Sequence, residues 1–184
     1  MKKLHLIAIL FTTLAFTACK KQSLQSYLVE SQNKKEFITV DVPSSILQLS
    51  MENASDADKQ AYESIRKINF VALPYDKAKE GEYETEKNKL KEILSNSSYK
   101  KLMNFKDKGK HATIYYLGEA DAIDEIIAFG YGEGAGVGVA RLLGDNMNPN
   151  AIMKMMKNVK VDGDNINLKE FKMIFDKAEE TSAE

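Results

Sequence analysis

Residues 99–144 read YKKLMNFKDKGKHATIYYLGEADAIDEIIAFGYGEGAGVGVARLLG. Turn signals cut this stretch into four extended runs. Asp107-Lys108-Gly109-Lys110 separates 99–105 from 111–117, and Gly118-Glu119-Ala120-Asp121 leads into 123–129. A glycine-dense turn then returns the chain through 137–143, and Gly144-Asp145-Asn146 ends the series. Four strands in succession at this spacing predict an antiparallel sheet.

Upstream, Phe37-Ile38-Thr39-Val40-Asp41-Val42 is rich in β-branched residues, with Ile38, Val40 and Val42 on one side, and predicts a strand. Pro43-Ser44-Ser45 stops it and starts a short helix through Ile46, Leu47 and Leu49. Ser55 and Asp58 resemble a capping box that opens a helix to about Lys67, with Ala57, Ala61 and Ile65 on one face. The run INFVALPY at 68–75 is almost continuously apolar and predicts a second, central strand. After Gly81, Tyr83, Lys87, Leu90 and Leu94 share one helical face. Glu84–Lys87 and Glu86–Lys89 predict an ion-paired, solvated exterior for it.

Past the hairpins, Ile152, Met155, Met156 and Val159 match the i, i+3, i+4, i+7 template of an amphipathic helix opened by Asn150-Ala151. A loop at 162–165, a last helix marked by Leu168, Phe171, Ile174 and Phe175, and a frayed tail at 179–184 complete the chain. The expected fold is therefore α+β: an antiparallel sheet of about five to six strands with helices packed mainly on one face. It forms a single domain over residues 36–178.

The N-terminal residues carry a different message. Met1-Lys2-Lys3 is a basic start, residues 4–16 are mostly apolar, and Phe16-Thr17-Ala18 precede Cys19, the single cysteine. The apolar run is interrupted by His5, Thr12 and Thr13, and it falls short of the roughly 20 apolar residues of a membrane span. Residues 1–18 resemble a lipoprotein signal peptide with a lipobox. That resemblance implies a mature chain beginning at Cys19, with a thioether diacylglyceryl group and an acylated amine. Several acyl chains on one residue anchor far more firmly than one. No aspartate follows Cys19, and residues 19–35 read as a polar, lipidated tether on which Tyr27-Leu28-Val29 can dock. The expected location is the cell envelope, at an outer membrane and facing the periplasm.

Composition excludes several classes. A net charge of −1 gives no bulk electrostatic case for nucleic acid, although lysines gather at Lys100, Lys101, Lys106, Lys108 and Lys110. With Cys19 lipidated, the folded body has no disulfide, no thiol nucleophile and no Cys-bound zinc.

Chemical motifs are weak. Gly130-x-Gly132-x-x-Ala135 loosely fits a dinucleotide turn, but the residues after Ala135 read as a strand, with no acid at the required distance. Gly130, Gly134 and Gly138 suit a hairpin and a closely packed strand better, since Glu133 and Arg141 break the apolar stretch that a membrane motif would need. Met147, Met153, Met155 and Met156 could serve Cu(I), together with His111, but methionine is ordinary packing on a core face. His111 is the one histidine outside the leader, and Glu119, Asp121, Asp124 and Glu125 could support acid–base work. Ser97-x-x-Lys100 and Ser98-x-x-Lys101 match a serine–lysine pattern without its companion motifs. Asp162-Gly163-Asp164 is not a calcium loop, because Ile166 and Met173 occupy ligand positions.

The order of elements from 36 to 160 resembles a family of small bacterial lipoproteins classed as domain of unknown function 4252. The resemblance carries over no site residue beyond the anchor at Cys19. No catalytic, metal or cofactor residue is assigned. The expected role is a non-enzymatic module held to a membrane through Cys19 and binding an envelope protein or other component. The alternatives are an envelope hydrolase using Ser, His111 and carboxylates, or a small-ligand or metal carrier.

Overall fold

A computed structural model describes residues 22–46, 49–50, 54–119, 122–158 and 160–161. The leader, Cys19, the 162–165 loop, the last expected helix and the tail fall outside these residues.

Helix α1 (Leu24–Ser31) is followed by strand β1 (Ile38–Pro43), a 3-10 turn (Ser44–Ile46) and the short strand β2 (Leu49–Ser50). Helix α2 (Asp56–Glu63), strand β3 (Ile65–Pro74) and helix α3 (Glu82–Leu94) come next. Strands β4 (Lys100–Asp107), β5 (Lys110–Glu119), β6 (Ala122–Gly132) and β7 (Gly136–Met147) form the expected meander. Helix α4 (Pro149–Asn158) and strand β8 (Lys160–Val161) close the described chain.

Six strands form one sheet in the order β1-β3-β7-β6-β5-β4, and β2 pairs with β8 separately. Every pairing is antiparallel. The α+β expectation holds, but the helices divide between both faces of the sheet. Leu24, Tyr27 and Leu28 of α1, and Tyr83, Leu90, Ile93 and Leu94 of α3, pack with Val71, Leu73, Ile127, Phe129, Val137 and Val139. On the reverse face, Ala61 of α2 and Ile152 and Met155 of α4 pack with Ile114, Ile126 and Leu142. Strand β3 lies inside the sheet between β1 and β7. Two covered faces explain its unbroken apolar run, since alternation fails where neither side meets water.

The domain also begins earlier than residue 36. Ser23 caps α1 by accepting a hydrogen bond from the Ser26 N–H. Leu24, Tyr27 and Leu28 are no more than 2% exposed. Burying each contributes about 1.5–3 kcal/mol, so α1 is a core element. Residues 24–31 of the expected tether at 19–35 are thus part of the folded body.

Two further boundaries move. The helix begun at Ser55 has both halves of its capping box but ends at Glu63, and Ile65 opens β3 opposite Gly144. β-branched Ile65 and Ile68 gain more from sheet packing than from a helix end. The helix expected through Leu49 is a single 3-10 turn at Ser44–Ile46, pinned where the Ser44 hydroxyl donates to the Ile65 carbonyl at 2.5 Å.

Two polar clusters are buried beneath α1. Arg141 donates through Nε to Glu125 Oε2 at 3.0 Å and through Nη2 to Glu125 Oε1, while its Nη1 donates to Gln25 Oε1 of α1 at 2.6 Å. Tyr99 lies close by; burial raises its phenol first, Glu125 raises it further, and Arg141 acts the other way. In the second cluster Lys34 donates to Glu86 Oε1 at 2.7 Å, and Lys89 approaches the same oxygen at 3.4 Å. Glu86 is 3% exposed, so it is not the solvated partner that its helical spacing suggested. Among the described residues, its Oε2 is buried without a hydrogen-bond partner. Burial alone would raise the Glu86 carboxyl, but Lys34 and Lys89 outweigh it and hold the group below its ordinary value. The buried Tyr27 phenol is raised, first by burial and then by the charge of Glu86.

Candidate interaction site

Helices α1 and α3 leave the β4–β5 side of their face open, which forms a ledge with α3 as its wall. Cross-strand register sets the floor. Tyr131 faces His111, which faces Lys106. The next row is Phe129, Thr113 and Asn104, and the row after it Ile127, Tyr115 and Lys101. Thr113 Oγ1 donates to Asn104 Oδ1 at 3.1 Å.

The first row forms a ladder of rings and cations. The His111 and Tyr131 rings stack at 4.7 Å and 9°. Lys91 Nζ lies 4.5 Å from the Tyr131 centroid, and Lys87 Nζ lies 5.7 Å from it and 5.2 Å from that of Tyr83. Lys87 and Lys91 reach one ring because positions four apart share a helix face. Such a contact is worth roughly 0.5–1 kcal/mol when exposed. Burial raises the Tyr83 phenol, while Lys87 works against it. Tyr75 meets Tyr83 edge-on at 5.1 Å and is 44% exposed at the same end.

Lys87 is neutralised by Glu84 at 2.5 Å. Among the described residues, no carboxylate pairs with Lys91, Lys101, Lys106, Lys108 or Lys110. All five are exposed. Lys101 and Lys106 stand on the floor and Lys91 on the wall. Lys108 is in the turn, and Lys110, alternating with His111, faces the reverse side. The ledge is a cationic surface with aromatic character, suited to an anionic partner.

The other candidates do not converge. His111 and Glu119 stand eight residues apart on β5, about 26 Å at the usual rise. Glu125 is committed to Arg141, Asp124 is exposed, and Asp121 is outside the described residues. Ser98 uses its backbone N–H on Asn96 Oδ1, and Lys100 donates to the Gly118 carbonyl. Met147 and Met155 are core residues, Met153 is half-buried, and the Met156 side chain is not described. Among the described residues, no cluster of three or more His, Cys, Asp or Glu side chains is placed to hold a metal. No described helix is long and apolar enough to cross a membrane.

The glycines have local reasons. Gly136 has φ +116°, and a Cβ there would stand 2.3 Å from the Leu73 carbonyl oxygen. A Cβ at Gly138 would stand 2.9 Å from the Ala72 Cβ and from the Val71 carbonyl oxygen of β3. Close approach between β7 and β3 therefore explains these positions without a cofactor.

The chain belongs to the family described as Domain of unknown function (DUF4252), whose model matches residues 27–155. That match begins inside α1, in agreement with the helix being part of the domain. No curated protein and no solved structure matches the chain.

Proposed function

We propose that this protein is a lipid-anchored module of the cell envelope, attached through Cys19, that binds an anionic envelope component on the α3–β4–β5 ledge. The observation that carries the binding role is the set of exposed cations without a carboxylate partner among the described residues. These are Lys91 and Lys106 beside the Tyr131–His111 stack, and Lys101 two rows along beside Tyr115. Half-buried aromatics next to exposed cations are surface chemistry suited to recognition. The leader and the residues before Cys19 support the anchor, with the outer membrane facing the periplasm as its location.

Two measurements test this reading. Mass spectrometry of the native protein should show a chain starting at acylated Cys19, and Cys19→Ala should move it from the detergent to the aqueous phase. Crosslinking in the native envelope from Lys106 should capture a component that the same crosslinker at Lys59 on α2 does not. An unacylated chain with an intact Met1 removes the anchor, and equal capture from both positions removes the ledge.

A further inference from the structure

Helices α1 and α3 and the ledge lie on the same side of the sheet. Helix α1 is sealed into the core from Leu24, and its cap is Ser23. Four residue steps separate Ser23 from Cys19, a reach of about 14 Å even fully extended. An acylated Cys19 would therefore hold Ser23 within about that distance of the bilayer. The outer face of α1 is exposed at Ser26, Val29 and Glu30, with Val29 at 50%. Helix α3 packs on the same face of the sheet, and the ledge continues it. Helix α2 lies on the other face of the sheet and carries Asp56, Asp58 and Glu63 with one lysine, Lys59, which pairs with Asp56.

We infer that the α1–α3 face lies against the bilayer that holds Cys19, with Lys91, Lys101 and Lys106 on the phosphates of anionic lipids and the α2–α4 face turned outward. This rests on the anchor proposed above and names the anionic component as lipid headgroup. Tyr75, exposed beside Tyr83, adds an amphipathic ring of the kind that settles at a membrane interface. Each basic side chain near an anionic surface favours contact about fivefold, so three of them bias the orientation by about a hundredfold.

Cys19 is the single cysteine, so an introduced thiol is the one free thiol of the acylated protein. The mature lipoprotein is reconstituted in phosphatidylcholine vesicles containing one-third phosphatidylglycerol. A fluorophore is placed in turn at Ser26→Cys, Glu92→Cys and Lys59→Cys and quenched by headgroup spin label. Ser26 and Glu92 should be quenched well above Lys59. On vesicles of phosphatidylcholine alone, at high salt, or in K91E/K101E/K106E, Glu92 should fall to the level of Lys59 while Ser26 stays high. Equal quenching at Glu92 and Lys59 on the anionic vesicles overturns the orientation, as does a contrast that survives the triple substitution. A protein that carries no lipid mass and does not float with the vesicles overturns the anchor, and the orientation with it. Folding of each variant is checked by circular dichroism, since every altered position is exposed.

Discussion

Replacing Arg141 by methionine tests what the buried pair beneath α1 contributes. The guanidinium satisfies both oxygens of Glu125 and the side-chain oxygen of Gln25. Both charged side chains are 11% exposed. Removing one member strands a carboxylate in a poorly solvated place, and one-sided breaks of this kind cost about 3–5 kcal/mol. The residual exposure puts the expected loss near the lower end, about 3 kcal/mol. With a urea slope of about 2 kcal/mol/M, the denaturation midpoint should fall by roughly 1.5 M. Glu125→Met alone should cost a similar amount, because the cation is then orphaned. The double substitution should lie within about 1 kcal/mol of the parent, since two apolar side chains of similar length fill the same space. The coupling in this cycle should therefore be large, about 5 kcal/mol and opposite in sign to the single losses. Single substitutions that each cost under about 1 kcal/mol, or a double that costs their sum, would refute the claim that the two charges depend on one another.

The remaining predictions concern other links between sequence and structure. Glu86 is held below the ordinary carboxyl value of 4.5, so it stabilises the fold above that pH and loses the contribution as pH falls below it. Acid titration of unfolding free energy should show this decline, and Glu86→Gln should flatten it. Leu28→Ala should cost about 2–5 kcal/mol by thermal or urea unfolding if α1 is core, and close to nothing if residues 19–35 are a free tether. Gly136→Ala should destabilise by at least about 2 kcal/mol, combining positive φ with collision against β3, whereas Gly134→Ala meets nothing within 4 Å and should cost about 1 kcal/mol. Comparable losses at the two glycines would show that the β3 contact is not the cause.

The meander is legible in the sequence because its punctuation is local. Each turn from Asp107 to Gly136 announces itself by glycine, and the strands between have the right length. The capping box at Ser55 and the amphipathic face of α3 are readable for the same reason. Helix α1 escapes a sequence reading although Leu24, Tyr27, Leu28 and Ser31 keep the i, i+3, i+4, i+7 spacing, since its polar composition masks a narrow apolar stripe. Covered faces are foreshadowed by the unbroken run in β3, but which helix lies on which side depends on crossings that no local pattern records. In sequence Arg141 is only an interruption, and Glu125 one of several turn carboxylates. Their pairing comes from cross-strand register, which brings together residues from neighbouring strands. The ledge is half visible as a lysine cluster. The stack of Tyr131 on His111 again needs the register.

The position of β3 has a consequence for how the chain reaches this structure. Strands β4 to β7 pair with their neighbours in sequence, so they can zip together as soon as they exist. Residues 65–74 must instead wait for 136–144, across the whole of α3 and the meander. Closing so long a loop carries the larger entropic cost and comes without reward until the strands meet. The edge of β7 stands open in the interval, and the lysines on β4 guard only the other edge of the meander.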